Sequence, residues 1–186
     1  MPNAKIIIAD GKAGSRKVLK EILTRAGYQV QAEAQNAPEL LRKARTIFPD
    51  LVIMDSGLEG GGTQEIADII TDDELGSVLV LQDMSHWRQL DDIAHISKPY
   101  TEETLLSVIE VCLLYQNKFN SMKKEVDRLK ETLVVRKNVE KAKGILMKKL
   151  GIDEAEAYRS MQKESMNRGM AMKDLARAII FAEENI

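Results

Sequence analysis

The stretch Leu51-Val52-Ile53-Met54-Asp55 sets four consecutive apolar residues directly before a carboxylate. A short apolar run without polar alternation is the pattern of a strand buried on both faces, as in a parallel sheet covered by helices. The pattern recurs at Ile6-Ile7-Ile8-Ala9-Asp10 and at Val78-Leu79-Val80-Leu81. Between these runs the periodicity changes. Arg16 to Ala26 carries Val18, Leu19, Ile22 and Leu23 on one helical face, and Gly27 stops it. Gln29 to Ala34 alternates and predicts a second strand. A helix with Pro38 in its first turn runs to about Ile47, and a weak one covers Gln64 to Ile70. His95-Ile96-Ser97 predicts a short fifth strand before Lys98-Pro99. Strands alternating with helices predict an α/β fold built on a doubly wound parallel sheet. In such sheets chemistry gathers at the carboxyl ends of the strands, which brings Asp10, Asp55 and Lys98 near one another.

After Pro99 the pattern changes. Thr101 caps a helix whose first turn holds Glu102 and Glu103. Leu105, Val108, Cys112, Tyr115, Phe119, Met122, Val126, Leu129 and Leu133 then follow in 3-4 spacing, a heptad seam with no Gly or Pro in it. Leu106, Ile109, Val111 and Leu113 make its first half apolar on more than one face, so that half packs on the α/β domain as its last helix. The second half has only the seam, between charged flanks such as Lys123, Lys124, Glu125 and Arg128. A lone seam seeks a second chain, which predicts a parallel homodimer; a single solvated helix folding back on its own chain is the other reading. From Val134 the phase breaks, because Arg136 and Glu140 stand where apolar residues belong. Val135, Val139, Ala142, Ile145, Leu146 and Leu150 define a new face, ended by Gly151. Asp153-Glu154-Ala155-Glu156 opens a second short helix through Ala157, Tyr158 and Met161 to near Gly169. A third carries Met172, Leu175, Ala176, Ile179 and Ile180. These predict a small three-helix bundle, with Met147, Met161, Met166, Met170 and Met172 as its gap-filling core.

Composition narrows the function. With 44% hydrophobic and 30% charged residues the 186-residue chain can form a packed core. The net charge of -2 points to no partner. Its distribution does: Tyr115 to Leu150 holds 11 Lys/Arg against 4 Asp/Glu, while the remainder is acidic. A single cysteine, Cys112, excludes an intrachain disulfide and reads as core. No signal peptide and no membrane-spanning run is present, so a cytoplasmic protein that avoids membranes is expected. Gly60-Gly61-Gly62-Thr63 lacks the Lys-Ser/Thr of a phosphate loop. His86 and His95 have no clustered partners. No paired catalytic carboxylates and no nucleophile triad occur, so an enzyme is not predicted.

Asp10 after the first strand, Asp55 ending the third, and Lys98-Pro99 after the last resemble the receiver domain of two-component response regulators. The resemblance covers about residues 3 to 116 and implies a flavodoxin-like fold. It also implies phosphoryl transfer from a sensor histidine kinase to Asp55, and Mg²⁺ held by Asp10 and Asp55. A carboxylate nucleophile of this kind needs a cation to neutralise phosphate oxygens and a lysine as further counter-charge. Two departures stand out. The family has two adjacent acids after the first strand; here Gly11 follows Asp10. The family has Thr or Ser at the end of the fourth strand; here Gln82 takes its place. The segment from Gln82 to Lys98 is also shorter than the family's, so the fourth helix is expected to be reduced or distorted, with Trp87 anchoring the loop.

The run Arg136-Lys137-Asn138-Val139-Glu140-Lys141-Ala142-Lys143-Gly144-Ile145-Leu146-Met147, with Glu154-Ala155-Glu156-Ala157-Tyr158 and Asp174-Leu175-Ala176, resembles the ANTAR module of transcription antitermination regulators. The match covers about residues 130 to 184. It implies binding of paired RNA hairpins in leader transcripts, which excludes a terminator. The residues agree: Lys137, Lys141 and Lys148 share a helical surface that Arg136 and Lys143 broaden, and such a surface holds phosphates with salt-sensitive affinity. Gly144 in mid-helix costs about 1 kcal/mol relative to Ala, and close approach of a neighbouring helix or of RNA would account for it. Asn167, Arg168 and Lys173 extend the RNA-binding set, with Arg177 beside them, and Tyr158 is either a stacking aromatic or core.

The expected organisation is a receiver-like domain at 3–116, a coiled-coil linker helix at 117–134 and an RNA-binding helical domain at 135–184. The leading expectation is an antitermination regulator controlled by its receiver. The alternative is a signalling adaptor whose basic helices bind protein or DNA, with a receiver that is not phosphorylated.

Overall fold

The computed structural model describes residues 4–83 and 90–184. The elements run β1 (Lys5–Ala9), α1 (Ala13–Arg25), β2 (Gln29–Ala34), α2 (Ala37–Ile47), β3 (Leu51–Asp55), α3 (Thr63–Asp72), β4 (Ser77–Asp83), β5 (Ala94–Lys98), α4 (Glu102–Leu150), α5 (Glu154–Asn167) and α6 (Met172–Glu184). The chain divides into two compact units, residues 1–120 and 121–186.

In the first unit five parallel strands lie in the order β2-β1-β3-β4-β5. This is the flavodoxin-like order, whose switch point falls between β1 and β3. The apolar runs explain why both faces are covered. Ile7, Ala9, Val52, Met54, Val78 and Val80 face one layer, with Leu40 and Ala44 of α2 and Ile66 and Ile70 of α3. Their neighbours Ile6, Ile8, Leu51, Ile53, Leu79 and Leu81 face the other, with Leu19 and Leu23 of α1 and Leu105, Ile109 and Cys112 of α4. Period-two alternation across a strand sends successive apolar residues to opposite layers, so an unbroken run is what this architecture needs.

Helix α1 begins three residues earlier than its apolar pattern, at Ala13. The cause is local: the Lys12 N–H donates to Asp10 Oδ1 at 2.7 Å, turning the chain into the helix before any apolar residue appears. In α2, Asn36 accepts from Glu39 N, with Pro in the first turn. Among the described residues no helix lies between β4 and β5. Trp87, the expected loop anchor, and His86 fall outside the described residues.

Thr101 Oγ1 accepts from Thr104 N at 3.1 Å, capping α4 as expected. The phase break at Val134 does not interrupt the helix, which continues to Leu150. It changes which face is covered, and no residue there opposes helix formation. In the second unit Ala142, Met161, Leu175 and Ala176 form the buried core, with Val139, Leu146, Met172, Ile179 and Ile180 against it. The Asp153 capping box is present: Asp153 Oδ1 accepts from Glu156 N at 2.8 Å, and Glu156 accepts from Asp153 N at 3.4 Å. The methionine expectation needs correction. Met161 is core and Met172 packs against it, but Met147, Met166 and Met170 are exposed, Met166 at 76%. Alanines at 142, 157 and 176 are buried where those methionines are not. No helix among the described residues is long and apolar enough to cross a membrane.

Candidate functional site

Two places assemble chemistry-bearing side chains, one in each unit. In the first, Asp10 follows β1, Asp55 ends β3 and Lys98 ends β5, all at the carboxyl edge of the sheet. Lys98 Nζ is ion-paired to Asp55 Oδ2. The other Asp55 oxygen accepts from Gly57 N at 2.9 Å. Burial alone would pull the Lys98 ammonium down, but the hydrogen bond and charge of Asp55, with Asp10 beyond, raise its pKa above the ordinary lysine value. Lys98 is therefore a cation at neutral pH. Asp10 is buried, with one carboxylate oxygen on Lys12 N. Ser56 fastens the loop after β3: its Oγ accepts from Asp83 N at 3.2 Å and its carbonyl from Thr63 Oγ1 at 2.9 Å.

One contributor has no sequence signature. Arg16 is buried, donates from Nη1 to the Asp10 carbonyl at 2.6 Å, and pairs through Nε with Glu33 at 3.3 Å. Its position at the edge of the apolar face of α1 gave no sign of burial.

The departures read from the sequence are built into the pocket. Gln82 is 1% exposed, beside Ser97 of β5 in register and one residue past Leu81, the β4 partner of Asp55. Receiver domains generally hold Mg²⁺ at the phosphorylation site. Mg²⁺ demands a near-octahedral set of oxygens, several of them waters. Here two carboxylates face the site, and three of their four oxygens accept from Lys12 N, Gly57 N or Lys98 Nζ. Each of those oxygens keeps a second lone pair, so Asp10 and Asp55 would hold Mg²⁺ with waters completing the set, one acid fewer than the family's three.

The second place is the exposed surface of α4 beyond residue 135. Arg136, Lys137, Lys141, Gly144 and Lys148 lie exposed on it. Lys141 pairs with Glu184 at 2.6 Å. Among the described residues Arg136, Lys137 and Lys148 have no carboxylate within ion-pair distance. Asn167 ends α5, exposed, and Arg168 beside it is paired to Glu164. Lys173 reaches Glu131 at 3.4 Å. Tyr158 is exposed and so is not core.

Lys143 stands apart from the basic surface on which the sequence reading put it. It is 7% exposed, and its ammonium donates to Glu140 at 2.8 Å and Glu154 at 2.7 Å. Those two hydrogen bonds, Glu140's first, raise its pKa. The neighbouring core residue Ala142 turns position 143 toward the start of α5, where Glu154 waits. Gly144 has also lost one of its two explanations. A Cβ built there meets nothing within 4 Å, so no helix of its own chain among the described residues presses on it.

Comparison with known proteins agrees with both places. The response regulator receiver domain model matches residues 6–110, and the ANTAR domain model matches residues 127–180. The transcriptional regulatory protein PdtaR of Mycobacterium tuberculosis is 30% identical over 182 residues, covering 95% of this chain and 89% of that protein. The chemotaxis protein CheY of Thermotoga maritima is 36% identical over 81 residues, covering 43% of this chain and 68% of that one. Among solved structures, the N-terminal domain of a response regulator/sensory box/GGDEF protein from Carboxydothermus hydrogenoformans superposes with a TM-score of 0.55 at 26% identity, covering 62% of this chain and 98% of that one. A receiver domain from Clostridium thermocellum, at 21% identity and a TM-score of 0.56 over 62% of this chain and 98% of its own, shares the fold. The chain is a regulator rather than an enzyme, and it belongs to the response regulators that join a receiver domain to an ANTAR domain.

Proposed function

We propose that this protein binds paired hairpins in leader transcripts through its ANTAR module, as a homodimer in the cytoplasm, and so favours transcription past a terminator. The observation that carries the reading is the exposed surface of α4, where Arg136, Lys137 and Lys148 have no carboxylate partner among the described residues. Neutralising RNA phosphates gives such cations their partners and releases counterions. Specific RNA recognition adds contacts to splayed loop bases, for which the exposed Tyr158 is a stacking candidate. DNA fits less well, since a recognition helix must enter a major groove with few residues at its start, whereas this surface lies far along a 49-residue helix.

The receiver's part in this reading is kinase-independent. Receiver domains in general serve a partner histidine kinase, but here Gly11 and Gln82 replace groups the phosphorylated state relies on.

The test is binding of the full-length protein to a tandem-hairpin leader RNA, a scrambled hairpin and duplex DNA across a salt series. The expected result is tightest binding to the tandem hairpin, with log affinity falling linearly in log salt. Equal affinity for all three sinks specific RNA recognition and leaves a general polyanion binder.

A further inference from the structure

Lys137, Lys141, Gly144 and Lys148 stand four, three and four residues apart and so form one stripe along α4. All four are exposed. The stripe contains no acid. Of its acidic neighbours, Glu140 and Glu154 are held by Lys143, and Glu184 is held by Lys141 of the stripe itself. Gly144, at the middle of the stripe, has open space where a side chain would stand. An exposed helix interior normally takes a good helix former, and glycine is the poorest choice short of proline. Nothing in its own unit explains the glycine. A partner approaching the helix backbone there does, because absence of a Cβ lets another backbone come close. The surrounding charge selects a polyanion over an apolar helix.

We propose that a sugar-phosphate strand of the bound RNA crosses α4 at Gly144, flanked by Lys141 and Lys148, with Lys137 a turn further on. This rests on the RNA-binding reading and names where the strand lies. The Lys141 and Lys148 Cα atoms are roughly 10 Å apart along the helix axis at 1.5 Å per residue, and the strand passes between them. Lys141 exchanges Glu184 for phosphate. Lys143 is a positioning residue and touches no phosphate: it keeps Glu140 and Glu154 from facing the strand.

The proposal predicts opposite signs for stability and binding in one variant. Gly144→Ala raises the melting midpoint, by about 2–4 °C for a chain of this size, and weakens tandem-hairpin binding at least tenfold. Lys148→Gln lowers the slope of log affinity against log salt by about 0.7–0.9, one phosphate contact. Lys143→Met lowers the midpoint and leaves that slope unchanged. Gly144→Ala binding as tightly as the unaltered protein overturns the crossing, as does a slope loss in Lys143→Met equal to that of Lys148→Gln. A Gly144→Ala protein that keeps its RNA affinity but loses its dimer assigns the glycine to a partner helix, which also overturns it. If the unaltered protein binds no hairpin RNA, the RNA reading itself fails. Selective loss in the variants can be seen only when the unaltered protein binds, so the two failures are distinct.

Discussion

Replacing Val126 and Leu129 together by lysine is expected to turn the protein from dimer to monomer and to cost about 10²-fold or more in affinity for a tandem-hairpin RNA. Leu105 and Cys112 are buried against the sheet and Val108 packs beside them, so the first turns of the seam are satisfied inside the receiver domain. From Tyr115 onward the seam residues Tyr115, Phe119, Met122, Val126, Leu129 and Leu133 are all 44–71% exposed. A stripe of large apolar side chains at heptad spacing is covered when a second copy lies alongside it. Each fully buried side chain contributes about 1.5–3 kcal/mol. With Phe119, Val126 and Leu133 at a and Met122 and Leu129 at d, the β-branched-a, leucine-d pair at 126 and 129 favours two parallel strands. Glu125 at g then faces Lys130 at e of the second copy, an opposite-charge pair that fits the parallel register. Two lysines at the centre remove the apolar contact and set four like charges together across the dimer axis. RNA affinity falls because two linked hairpins are held by two linked modules, and separation of the modules removes the avidity. Affinity for a single hairpin should change little. Light scattering reads the mass and a binding titration reads both affinities; a variant that stays dimeric rejects the seam as the interface.

The second large effect is all-or-none. The unaltered protein is expected to gain no mass when incubated with a small-molecule phosphodonor and Mg²⁺, and Gly11→Asp with Gln82→Thr is expected to gain one phosphoryl group at Asp55. Phosphoryl transfer is mostly positioning and charge stabilisation. Asp55 and Lys98 supply the nucleophile and one cation, but one acid and the hydroxyl are missing. The site has room for the acid: a Cβ at Gly11 meets only the Gln35 carbonyl, at 3.7 Å, an ordinary contact. Asp55→Asn in the restored variant should abolish the gain. A stoichiometric phosphoryl adduct on the unaltered chain contradicts the kinase-independent reading.

Much of this was legible in the sequence for identifiable reasons. The unbroken apolar runs at 6–9, 51–54 and 78–81 reported strands buried on both faces, and Gly11 and Gln82 were visible as departures from a known pattern. What stayed hidden was pairing between distant or edge-of-face residues. Lys143 sits one residue from core Ala142, where helical periodicity leaves a side chain free to face either way; Glu154, eleven residues on, decides it. Arg16 shares the buried face of α1 with Leu19 and Leu23, but its partners, the Asp10 carbonyl and Glu33, lie outside the helix where its periodicity does not reach. The methionines were misplaced because a sequence shows residue type without showing that small residues such as Ala142 and Ala176 share the core where α4, α5 and α6 meet. The change of seam phase at Val134 lies within one continuous helix, where the covered face changes.

The central claim, that RNA binding by this protein favours transcription past a terminator, is tested most directly by single-round transcription in vitro. The template carries a tandem-hairpin leader whose second hairpin overlaps an intrinsic terminator. Adding the full-length protein should raise the read-through fraction in proportion to RNA occupancy, and the Val126→Lys, Leu129→Lys variant should leave it at the protein-free level. Read-through that stays unchanged while the leader is saturated with protein contradicts the account.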